Sequence, residues 1–92
     1  MITVGDIYNY IDTFAPFHTA MGFDNVGLLV GGKHCPVTSV MVSMDITPEV
    51  ISEAVSQKAE LIISHHPVIF QPLKRLSPTD VPYLLVQNGL CA

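Results

Sequence analysis

Apolar and polar positions along the chain change their period several times, and each change marks an element. Thr3 and Asp6 have the spacing of a capping box, with Asp where Glu is usual, and Val4, Ile7, Tyr8 and Ile11 follow at i, i+3, i+4 and i+7. This spacing predicts a helix over 4–13. The turn-rich stretch "APFHTAMGFDNVG" then leads into a short strand at 28–30, which "GGKHCP" closes. From 37 to 46 apolar residues alternate with Thr, Ser and Asp, predicting a strand with Val40, Val42 and Met44 on one apolar face; Val37 and Met41 point to partial cover on the other. Thr47 is placed to cap a helix over 48–58 whose first residue, Pro48, has no N–H to satisfy and whose Glu49 meets the positive end of the dipole. Val50, Ile51, Ala54 and Val55 form its expected buried stripe. "ELIIS" at 60–64 is almost wholly apolar, as strands covered on both faces of a parallel sheet are. A further helix over 80–88 opens at Thr79 or Asp80, tolerates Pro82 in its first turn and ends at Asn88-Gly89, after which "LCA" starts another extended segment.

Strand, capped helix, strand is a βαβ unit with an expected right-handed crossover. The predicted class is therefore α/β: a mostly parallel sheet with a βαβ unit and flanking helices, running as one layer over 1–92 with no internal boundary and forming an incomplete part of a larger fold. At 92 residues the core is near the size at which a single domain becomes marginal. Hydrophobic residues make up 49% of the chain, so a large apolar face is expected to need covering. No apolar run reaches the roughly 20 residues of a membrane span. "MITVGDIYNY" has neither a basic segment nor an apolar h-region, so the expected compartment is the cytoplasm. The net charge of −4 argues against a nucleic-acid surface and against an anionic-membrane binder. Cys35 and Cys91 lack CxxC spacing and are read as reduced thiols.

The chemistry concentrates in "LIISHHPVIF". Adjacent side chains within a strand point to opposite faces, but at its carboxyl end His65 and His66 can turn toward one cavity, and Pro67 keeps His66 extended. That rim is where ligands bind in open α/β sheets, and imidazole is the commonest nitrogen ligand of divalent transition metals. A strand-end histidine can equally serve as a solvated hydrogen-bonding group. Asp45 ends the preceding strand on the same rim, either as an oxygen ligand or supporting group for such a site, or as a helper of the Thr47 cap. Lys74 and Arg75 follow the histidines and could meet a phosphate, though an exposed basic pair is usually only solvated. His18 and His34 have no ligand spacing to other residues. Gly27 and Gly31 lack the pattern of a phosphate loop.

"DNVGLLVG" at 24–31, "MDITPEVISEAV" at 44–55 and "ELIISHHPVIFQPLKRL" at 60–76 stand in an order that resembles the amino-terminal part of the Nif three-like family, whose members are also described as GTP cyclohydrolase I type 2 homologues. The resemblance covers essentially the whole chain. It implies ring-like homo-oligomers with two divalent metal ions per full-length subunit, singling out none of zinc, manganese, iron, cobalt or magnesium. By motif match His65 and His66 are the first two metal ligands; the remaining Asp, His and Glu of the family lie beyond residue 92, so metal is expected to be weak or absent on this chain alone. Within "DNVGLLVG", Asp24 and Asn25 either line the cavity wall or form an Asx turn. Two functions compete: a metal-dependent hydrolase acting on a small nucleotide-like substrate, and a non-catalytic, metal-stabilised scaffold that binds a partner.

Overall fold

The computed structural model describes residues 1–15, 25–71 and 73–92; His18 and Asp24 lie outside them. The elements run α1 (Val4–Phe14), β1 (Val40–Ser43), α2 (Pro48–Ser56), β2 (Leu61–Ser64) and α3 (Val81–Gln87). The capping box of α1 forms in full: the Asp6 N–H donates to the Thr3 hydroxyl at 3.2 Å and the Thr3 N–H to the Asp6 carboxylate at 2.9 Å. The Thr47 hydroxyl caps α2 by accepting the Val50 N–H.

β1 and β2 pair in parallel, with Val40 opposite Leu61 and Ser43 opposite Ser64, and α2 is the crossover between them. The expected strand over 37–46 is shorter because its first amides have other partners. Val37 N–H donates to Ile2 O, and the Thr38 and Ser39 N–H groups donate to the Glu60 carboxylate at 2.6 and 3.1 Å. Residues 28–30 do not form the expected strand. They are nonetheless tied to the sheet, since the Leu29 and Val30 N–H groups both donate to Ala92 O and the Ala92 N–H returns to Val30 O. Pairing with one residue is too little for a ladder. Cys91, as its extended sequence context suggested, makes a parallel bridge to Leu61.

Two apolar clusters flank this sheet. On one side Ile51, Ala54, Ala59, Ile62, Leu85 and Leu90 are buried, with Met41 packed against them. On the other, Val4 of α1 packs with Val37, Leu61 and Cys91, joined by Ile7, Leu28 and Ile63. Full burial of a side chain such as Ile62 or Leu85 contributes roughly 1.5–3 kcal/mol. The predicted apolar face of β1 is a correction: Val42 is 76% exposed and Met44 62%, because β1 is the outer strand of the pair and the second cluster gathers over Leu61 and Ile63 of β2. In α2 the buried stripe centres on Ile51 and Ala54, which leaves Val55 at its margin and exposed. Among the described residues no helix is long and apolar enough to cross a membrane.

Candidate functional site

The parallel ladder does not stop with the strands. His65 N–H donates to Ser43 O at 3.1 Å and His66 N–H to Met44 O at 3.0 Å, so the backbone at the histidines is held in register with the end of β1. Ser43 and Ser64 are register partners, and each hydroxyl donates to the carbonyl two residues on: Ser43 to Asp45 O, and Ser64 to His66 O at 2.7 Å. These matched bonds bend both strand ends alike. "SMD" and "SHH" thus carry the same serine device, a signal visible in the sequence and overlooked there.

The bend sets the side chains. His66 Nδ1 lies 2.7 Å from Asp45 Oδ1, and the rings of His65 and His66 are 5.0 Å apart, tilted by 54°. An ionised carboxylate can only accept, so toward it Nδ1 donates, and a neutral His66 then keeps its lone pair on Nε2. With the two side chains 56% and 63% exposed, the pair is worth at most about 1 kcal/mol of stability, and its main effect is orientation. The Asp45 carboxylate thus contacts His66, while the cap of α2 is made by the Thr47 hydroxyl.

His65, but not His66, lines a cleft of about 200 Å³ between α1 and β2. Val4, Ile7, Tyr8 and Ile11 form one wall, residues 25–29 a second and residues 61–65 the floor. Asn25 lines this cleft and also donates its side-chain N–H to Ile69 O, fastening the chain that follows the histidines. Residues 25–29 and 65–69, distant in sequence, therefore meet at the site. Tyr8 and Lys33 were missed by sequence reading: the Lys33 ammonium sits 4.0 Å above the Tyr8 ring, a cation at the cleft's edge. Lys74 and Arg75 are exposed and do not line the cleft among the described residues. His34 packs its ring over Gly32, away from the site.

The donor set fits part of a metal centre. His65 and His66 offer imidazole nitrogens at one rim, but no group of three or more metal-ligating side chains exists among the described residues. A closed site would need donors from elsewhere.

A parallel βαβ layer with a polar rim at its strand ends is an α/β ligand-binding architecture. More specifically, the chain belongs to the Duf34/NIF3 (NGG1p interacting factor 3) family, which it matches over residues 2–90. It is 46% identical over 68 residues to a Clostridium perfringens protein named GTP cyclohydrolase 1 type 2 homolog, a match covering 74% of this chain and 26% of that protein. Among solved structures, a Bacillus cereus protein related to NIF3 superposes with a TM-score of 0.91 at 32% identity, covering 99% of this chain and 26% of that one. A Staphylococcus aureus hypothetical protein gives 0.92 at 35% identity, covering 98% and 27%. The chain thus spans about a quarter of the length of the relatives it matches.

Proposed function

We propose that this segment supplies the two-histidine half of a divalent-metal centre, and that the whole protein uses it as a metal-dependent hydrolase on a small nucleotide-like substrate. The observation that carries this reading is the Asp45–His66–His65 arrangement, in which a carboxylate holds one imidazole through Nδ1 while the neighbouring imidazole, 5.0 Å away, lines an apolar cleft. A ligating histidine commonly has such a carboxylate on its other nitrogen. His65 and His66 would hold the metal, and bound divalent ions would supply Lewis-acid polarisation of the scissile group and activation of water. This chain's own contribution is to orient His66 through Asp45, to shield one side of the site with Val4, Ile7 and Ile11, and to offer Tyr8 as a surface for a flat ring. That relatives are named GTP cyclohydrolase 1 type 2 homologs supports the nucleotide-like substrate class. In this reading the family-length protein is a homo-oligomer.

A scaffold reading has one support, the family's description as an interacting factor. Elemental analysis after dialysis against metal-free buffer tests the metal, and nucleotide turnover with and without chelator tests the enzyme. We expect weak or no retention by the 92-residue chain, two ions per subunit in a family-length protein carrying it, and loss of both metal and turnover in the His65→Ala, His66→Ala double variant. Full retention in that variant would remove the histidines from the centre. Retained metal without chelator-sensitive turnover would favour the scaffold.

A further inference from the structure

Cys35 and Cys91 are distant in sequence and both are free thiols, yet they meet in one apolar cluster over β2. Cys91 is buried in the apolar cluster over β2, and Cys35 packs against that cluster from a partly open position. A tight turn builds the contact. The Cys35 N–H donates to Gly32 O at 3.2 Å, and Gly31, the residue before Gly32, lies against the Cys91 side chain. Gly31, at φ +100, makes the approach possible, since a Cβ there would overlap Cys91 Sγ. Both backbones are anchored from outside the turn. Cys35 O accepts the Val4 N–H at 2.9 Å, while Cys91 donates to Glu60 O at 2.9 Å and accepts from the Ile62 N–H at 2.8 Å. Both thiols are therefore brought to one cluster by backbone bonds in which neither takes part, and no third metal-ligating side chain joins them among the described residues.

Their reactivities differ. Burial, then the Cys35 contact, pushes the Cys91 thiol up from its ordinary range, so the partly exposed Cys35 is the one that meets a solvent-borne oxidant first.

We propose that Cys35 and Cys91 are a reversible redox modification site that closes an intramolecular disulfide, with Cys35 attacking first and Cys91 resolving. The oxidant is a low-molecular-weight organic disulfide, RSSR. Cys35 loses its proton to solvent and its thiolate attacks one sulfur of RSSR; the protein–SR bond forms, the R–S–S–R bond breaks, and RS⁻ leaves to take up a proton. Cys91 then gives its proton to solvent and attacks the Cys35 sulfur, expelling the second RS⁻, which is protonated in turn. Two protein thiols lose two electrons, RSSR gains them as two RSH, and no net proton is released. The product ties the 31–35 turn covalently to the segment beside β2.

The test is incubation of the folded chain with excess oxidised glutathione, quenching with N-ethylmaleimide, and intact-mass and non-reducing peptide analysis. The expected product has lost two hydrogens, carries no glutathione, contains a Cys35–Cys91 peptide pair and is restored by dithiothreitol. Cys91→Ser should stop at a glutathione adduct on Cys35, and Cys35→Ser should leave Cys91 at least about ten-fold less reactive than Cys35 is in the first variant. A persistent adduct on wild-type Cys35, a disulfide between two chains, or Cys91 reacting equally fast in Cys35→Ser would each overturn the proposal. Because serine at either position could disturb packing, the wild-type reaction is repeated in urea. There adducts at both thiols should replace the internal disulfide, and an unchanged product ratio would show that the folded geometry does not bring the sulfurs together.

Discussion

Asp45 could have served the helix start beside it, but Thr47 alone takes that position and the carboxylate is left to face His66. Replacing Asp45 by Asn keeps the shape and removes the charge that orients the imidazole. The expected result is a 10–100-fold loss of metal affinity in a metal-loaded family-length protein, measured by competition with a chelating dye, with a change in unfolding free energy below about 1 kcal/mol. The histidine pair was legible in the sequence because an apolar strand ended by proline fixes where the rim falls. The Asp45–His66 contact was not, because side-chain direction beyond a strand depends on the hydroxyl bonds of Ser43 and Ser64, which no periodicity reports. Glu60 is a second residue whose work is hidden. The Thr38 N–H, then the Ser39 N–H, hold its carboxyl below the usual glutamate range. A depressed folded-state value means that the stabilisation is present above the unfolded-state value and is lost as pH falls through the folded one. Urea midpoints of wild type and Glu60→Gln should therefore differ at neutral pH and converge on acidification below the ordinary glutamate range.

At the scale of elements, α2 and α3 end in the same way. Ala59 N–H donates to Ala54 O and Lys58 N–H to Val55 O; Leu90 N–H donates to Leu85 O and Gly89 N–H to Val86 O. Both are Schellman ends, with the residue after the cap in the left-handed region: Gly89 at φ 69, but Lys58 at φ 59. Lysine carries a steric cost there that glycine does not. Lys58→Gly should raise stability by about 1 kcal/mol, and Gly89→Ala should lower it by a similar amount, since no neighbouring atom lies within 4 Å of the added methyl and the backbone decides the outcome. Thermal unfolding of both variants checks this, and equal and opposite shifts are expected. Helices were the most legible elements because Thr3, Thr47 and Pro48 announce their starts locally. Residues 28–30 misled because their apolar run is real while their partner, Ala92, is distant in sequence. The strand at 37–46 overran because Glu60, also remote, takes the amides of Thr38 and Ser39.

For the molecule as a whole, no described strand pairs with the outer edge of β1, and Val42 and Met44 stand exposed beside it. An open edge with an apolar row favours association. Light scattering of the 92-residue chain should show concentration-dependent self-association, and Val42→Lys should shift it toward monomer with little change in far-ultraviolet circular dichroism. Ile62, 1% exposed at the centre of the larger cluster, should lose about 2–5 kcal/mol on truncation to alanine, seen as a lower urea midpoint. The parallel bridge between Leu61 and Cys91, with Ala92 bonded to Leu29 and Val30, has a further consequence in time. A chain emerging from the ribosome can close β1, α2 and β2 as soon as residue 64 is free, whereas Leu29 and Val30 keep unpaired amides until residue 92 follows. The wall of the cleft must wait for the segment that follows α3, so vectorial synthesis completes it only after the βαβ unit beneath it has closed.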